Sequence, residues 1–134
     1  MAIGALAECG LLDHPGAAPL RARLAGGEEA TLLAMIAHGL NTPRTSSMGR
    51  LFDAVAAIAG VRDDALYEGQ AAIELEALTD PSAEGTYVFG IAEGVDGALV
   101  LDSASVLAAV LDDMAAGAGA SAISMRFHRA VVAA

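Results

Sequence analysis

The chain has few aromatic residues and almost no cysteine. Among its 134 residues there is no tryptophan, and aromatics make up only 4% against a hydrophobic content of 55%. The core must therefore be assembled from Ala, Leu, Val and Ile, with helices packed close together. Cys9 is the single cysteine, which excludes an intramolecular disulfide and any zinc site of several thiolates, and a reducing, cytoplasmic setting fits best. Glu8 beside it disfavours the thiolate, so Cys9 makes a poor nucleophile.

Positive charge is scarce as well. Seven bases against seventeen acids leave a net charge of -10, so attraction to a phosphate backbone cannot drive binding and nucleic acid is not an expected partner. The opening run "MAIGALAECGLL" lacks a basic start and carries Glu8, so it reads as a helix rather than a signal peptide. No apolar run approaches the roughly 20 residues that cross a bilayer, and no membrane partner is expected. The length fits one unit with a core of its own.

What is present is mostly helix, punctuated by Gly and Pro. A first helix is predicted over Ala2 to Leu12, broken by "DHPGAAP", with a short helical turn in "LRARLA". Glu28 to His38 carries acids in its first turn and His38 with Gly39 at its end, as the helix dipole and a glycine cap prefer. Pro43 interrupts, and Ser47 can cap the next helix. There Met48, Leu51, Phe52, Val55 and Ala59 form one apolar stripe closed by Gly60, with Arg50, Asp53 and Ala57 on the other side. A helix over Gln70 to Leu78 and a loop "TDPSAEG" follow. "TYVFGI" and "ALVLD", joined by "AEGVDG", predict a hairpin that packs on helices. Helices Ser103 to Ala116 and Ala120 to Ala133, split by "GAGA", complete the chain. The fold class is α+β, mainly helical with one small β-hairpin.

Most site motifs are missing. His14, His38 and His128 have no spacing that would place two imidazoles on one helical face, so no metal site is expected from this chain, and His128 reads as a packed or capping residue. "AGAGASA" and "GIAEGVDG" lack the strand, G-x-G-x-x-G and helix context of a phosphate cradle. Asp63 with Asp64 and Asp112 with Asp113 read as solvated pairs rather than catalytic acids.

Two polar clusters remain. In "TSSMGRLFD", Thr45, Ser46, Ser47, Arg50 and Asp53 exceed what one cap requires. In "LYEGQ", Tyr67, Glu68, Gly69 and Gln70 precede a helix start, where glycine allows close approach and free N–H groups can meet a polar ligand. Spacing alone also permits a plainer reading, with Asp53 a surface partner of Arg50 and Gly69 a turn.

Three runs in order, "GLNTPRTSSMGRLFDAVAAIAGV", "YEGQAAIELEAL" and "MRFHRAVV", resemble the C-terminal carbamoyltransferase region of the HypF hydrogenase maturation family. That family is similar to the enzymes that place threonylcarbamoyl on tRNA adenosine, and the resemblance implies a segment of an actin-like ATPase-type domain. It further implies chemistry on carbamoyl phosphate and ATP through carbamoyl-adenylate, with the carbamoyl group passed to the C-terminal cysteine of HypE on the way to cyanide ligands. In the tRNA-modifying relatives a motif of the type "FD-x-x-A…YPGG" contacts the nucleotide. Its match here makes Asp53, Gly69 and Gln70 the nucleotide-binding candidates, with Thr45, Ser46, Arg50, Tyr67 and Glu68 as neighbours, although Gln70 replaces the second glycine and the gap is longer.

The family's acylphosphatase-like, zinc-binding and adenylate-forming parts have no room in this sequence. Nor are the paired histidines and aspartate that hold the metal of the complete protein present, or the glycine-rich phosphate loop expected after the "RFH" helix. The resemblance implies an excised segment, inactive alone and without catalytic residues or a bound cofactor of its own, whose partners are the remainder of HypF and HypE. Exposed apolar surfaces on such a segment favour self-association. Two functions fit: one wall of a carbamoyl-adenylate site, or a helical docking module that touches no nucleotide.

Overall fold

A computed structural model of the chain describes residues 1–94 and 97–134. Helix α1 spans Ala2–Glu8, and after a 3-10 turn at Pro15–Ala17 come α2, Ala18–Ala22, and α3, Glu28–His38. Then α4 covers Met48–Ile58 and α5 Gln70–Ala77, the hairpin strands are β1, Gly90–Glu93, and β2, Leu99–Asp102, and α6, Ser103–Ala115, and α7, Ala120–Ala133, end the chain. The predicted mainly helical fold with one antiparallel hairpin is the one observed.

α3, α6 and α7 fall where the sequence puts them, to within a residue. α1 stops four residues earlier than predicted, at Glu8. Gly10 takes a φ of 68°, and the Leu11 amide donates to the Leu6 carbonyl at 2.8 Å, which wraps the chain out of the helix before Leu11 and Leu12 can join it.

α4 is the centre of the packing. Its second half, Ala54 to Ile58, is buried on every side, in contact with α1, α2, α5 and α6. Ala57, expected on the outer face, is only 7% exposed. Small side chains let neighbouring backbones close in from all sides, so a stripe based on one face underestimates the burial. The Arg23 guanidinium also reaches the Ala57 carbonyl. Leu6, Leu75, Val106, Leu107, Val110, Leu111, Ile123 and Phe127 complete the core around it.

The serine cap of α4 differs from expectation. Ser47 occupies the cap position but its side chain makes no capping bond, and the Ser47 amide instead donates to Thr45 Oγ1 at 3.1 Å.

The hairpin is shorter than predicted and offset. Thr86 to Phe89 lie outside the strand, while Ile91 pairs with Leu101 and Glu93 with Leu99. Ser105 explains the offset: its hydroxyl donates to the Val88 carbonyl at 3.0 Å and accepts from the Gly90 amide at 2.8 Å, so these backbone groups meet α6 rather than β2. Tyr87 and Phe89, just before β1, are buried, whereas the strands beyond Gly90 are exposed, so the expected packing on helices is made by the approach to the hairpin and by Gly90, not by the rest of its strands. Residues 95 and 96 of the expected "AEGVDG" turn lie outside the described residues.

The "MRFHR" run holds the loop before the hairpin. Arg126 Nε donates to the Glu84 carbonyl at 2.8 Å, and the Arg129 guanidinium donates to the carbonyls of Pro81, Ala83 and Gly85. Between these arginines Phe127 is fully buried, its ring edge-on to Phe52 at 4.8 Å. His128, as expected, is a packed residue: its ring meets Phe52 at 5.3 Å and its Nδ1 lies 2.8 Å from the Ser124 carbonyl.

Candidate functional site: a polar cleft beside α4

The partly exposed first half of α4, the start of α1 and the loop that enters α5 form a cleft of about 150 Å³, lined by Arg50, Asp53, Arg62, Asp63, Asp64 and Ala71 among others. The buried half of α4 anchors the cleft floor, and Phe52, packed on Phe127 and His128, fixes the helix turn from which Asp53 projects. The Asp53 side chain is 20% exposed and accepts from Arg50 Nη1 at 2.9 Å. Arg50 itself is half exposed, and an ion pair of this kind holds its partner by no more than about 1 kcal/mol, so a ligand can displace it.

The loop wall is organised by ion pairs. Arg62 is gripped by Glu74 through two bonds of 2.8 and 2.7 Å, which holds the Glu74 carboxyl below the usual range, first through the Arg62 bonds and then through Gln70. Asp63 is paired with Arg23 at 2.9 Å, while Asp64 is exposed.

The two polar clusters of the sequence are thus only partly united. Arg50 and Asp53 line the cleft, and Ala71 from the α5 start joins them, but Gly69 and Gln70 are not part of its lining. Gly69 holds a φ of 81° at the exposed entry to α5, with open space where a side chain would project. Gln70 is 6% exposed and turned inward, accepting from the Leu66 amide at 2.7 Å and donating to Glu74 Oε1 at 2.8 Å. Tyr67 and Glu68 are exposed in the preceding turn, Thr45 is occupied with the Ser47 amide, and Ser46 is exposed.

Arg62 and Glu74 were not among the sequence candidates. The spacing of Gln70 and Glu74, four apart on one helix, was the available signal, but Arg62 reaches them only through the folded loop. Asp113 also departs from the solvated pair expected with Asp112. It is half-buried and accepts from both Tyr87 and Arg126, while Asp112 is exposed and faces His14. Among the described residues no three His, Cys, Asp or Glu side chains gather to hold a metal, and no helix is long and apolar enough to cross a membrane. Burial, then the charge of Asp102, pushes the Cys9 thiol up.

The helical layer around α4, with its small hairpin and polar cleft, has the architecture of part of a Kae1-like domain. The family described as "Carbamoyltransferase, Kae1-like Domain, second subdomain" matches residues 1–134. The chain therefore belongs to the HypF carbamoyltransferase family. It is 39% identical over 134 residues to a carbamoyltransferase HypF homolog of Cupriavidus necator, covering 90% of this chain and 32% of that relative. It is 66% identical over 47 residues to carbamoyltransferase HypF of Rhizobium leguminosarum bv. viciae, covering 35% of this chain and 6% of the relative. A crystal structure of full-length HypF in a phosphate- and nucleotide-bound form superposes with a TM-score of 0.84 at 36% identity, over 97% of this chain and 20% of that one. The chain thus spans a third or less of the length of these relatives.

Proposed function

We propose that this segment forms one wall of the nucleotide site of a HypF-type carbamoyltransferase, with Asp53 as its ligand-facing group. In that protein carbamoyl phosphate and ATP yield carbamoyl-adenylate, and the carbamoyl group passes to the C-terminal cysteine of HypE for cyanide-ligand synthesis in nickel–iron hydrogenase maturation. The observation that carries this reading is the half-buried Asp53 carboxylate in a cleft, held by an exposed, displaceable arginine. A carboxylate offers two acceptor oxygens to the vicinal hydroxyls of a ribose, and Arg50, once displaced, remains close enough to meet a phosphate or a carbamoyl oxygen. Gly69, with free space above it, lets a ligand approach the turn at the start of α5. The metal ion of the complete protein would take its ligands from outside this chain.

A second reading, a docking module for the rest of HypF or for HypE that touches no nucleotide, draws on the exposed Val88 just before the hairpin and Ile91, Leu99 and Val100 within it. Asp53→Ala in a full-length HypF containing this segment separates the two. Loss of ATP affinity with the fold and partner binding intact is expected. Unchanged ATP affinity with weakened association would favour docking. The isolated segment is expected to transfer no carbamoyl group to HypE, and measurable transfer by it would count against the proposal.

A further inference from the structure

The first half of the loop from Arg62 to Gly69 lines the cleft through Arg62, Asp63, Asp64 and Ala65, yet the loop has almost no hydrophobic anchorage. Leu66 is 86% and Tyr67 54% exposed, so burial of side chains cannot be what holds this stretch in place. Instead polar bonds hold it: Arg23 pairs with Asp63, and three further bonds run through one carboxylate. Glu74 grips Arg62 at 2.7 and 2.8 Å, and its Oε1 also accepts from Gln70 Nε2 at 2.8 Å. Gln70 Oε1 then accepts from the Leu66 amide at 2.7 Å. Gln70 is 6% exposed with both ends of its amide satisfied, so it is committed to the protein and not to a ligand.

We infer that Gln70 and Glu74 are positioning residues: a relay from Arg62 through Glu74 and Gln70 to the Leu66 amide that pins both ends of the Arg62–Leu66 stretch, whose Arg62, Asp63, Asp64 and Ala65 wall the nucleotide cleft. This rests on the nucleotide reading of that cleft. It gives Gln70 a role different from ligand contact, because the amide that would meet a nucleotide is turned inward and spent on the loop. It also accounts for Glu74, whose carboxylate accepts from both Arg62 and Gln70.

The test uses full-length HypF containing this segment, with ATP as the probe. Gln70→Leu keeps the volume but removes both bonds. It is expected to weaken ATP binding about tenfold and to speed hydrogen exchange in the peptide carrying residues 63–69, with little change in Tm. The exchanged pair Gln70→Glu with Glu74→Gln restores an acceptor for the Leu66 amide and a donor between the two side chains, and it is expected to recover ATP affinity to within about threefold. Faster exchange in Gln70→Leu with ATP affinity unchanged overturns the relay, as does an exchanged pair that binds ATP no better than Gln70→Leu. Asp53→Ala run in parallel keeps the two readings apart. If Asp53→Ala weakens ATP binding and Gln70→Leu does not, only the relay falls; if neither weakens it, the nucleotide reading falls first and takes the relay with it. Should Gln70→Leu fail to fold, Glu74→Ala at its half-exposed position, which removes the acceptor for both Arg62 and Gln70, carries the same readings.

Discussion

The Tyr87 hydroxyl donates to Asp113 Oδ2 at 2.5 Å, and Arg126 Nη1 meets the same oxygen at 2.5 Å. Burial, then the bond to Asp113 and its charge, push the Tyr87 phenol far above its ordinary value. A proton bound more tightly in the folded state stabilises the fold fully below the unfolded value of about 10, and that stabilisation is lost as pH rises above it. Denaturation midpoints are therefore expected to fall as pH is raised above about 10, and Tyr87→Phe to flatten that fall. At neutral pH Tyr87→Phe should cost about 1.5 kcal/mol, as for one hydrogen bond to a charged group. A variant with the alkaline profile of the parent would refute the assignment.

Acid should act through Glu74. Its carboxyl is held low by Arg62 and then Gln70, so the contribution is present above the unfolded value of about 4.3 and is lost as pH falls through the depressed folded value. Melting curves from neutral pH down through that window should show a steeper loss for the parent than for Glu74→Gln. Equal slopes would mean that the Arg62 pair contributes nothing to acid sensitivity.

Gly16 sits against the backbone of α6. An added Cβ would lie 1.9 Å from the Leu111 carbonyl oxygen, a contact that no rotamer can relieve. Gly16→Ala is expected to cost about 3 kcal/mol or more by forcing the 3-10 turn away from α6. A thermal midpoint within a degree or so of the parent would show that the turn moves freely.

The hairpin leaves Ile91, Leu99 and Leu101 on one face, since Ile91 pairs with Leu101 and Glu93 with Leu99. Val88, Ile91 and Leu99 are 72%, 67% and 76% exposed. Light scattering of the isolated 134-residue chain is expected to show association that grows with concentration, reduced by Ile91→Lys with Leu99→Lys. A monomer at every concentration tested would count against it.

Much of this could be read from local pattern. The acids and His38 around α3, the glycines that close α4 and α6, and the apolar spacing of α6 and α7 act within a few residues, where helix physics is local. The polar richness around Asp53 was equally legible, because too many hydroxyls and charges stood at one helix start.

Tertiary structure decided the rest. Whether Ala57 faced solvent depended on α1, α2 and α5 meeting it, and the start of β1 depended on Ser105, fifteen residues away, taking the Val88 and Gly90 backbone groups. Gln70 looked the same in sequence whether it faced a ligand or the core. Only the folded loop, by bringing Arg62 to Glu74 and the Leu66 amide to Gln70, turned its amide inward. Sequence spacing sets which face of a helix a side chain occupies, but a polar group's partner across a loop is set by where the chain returns.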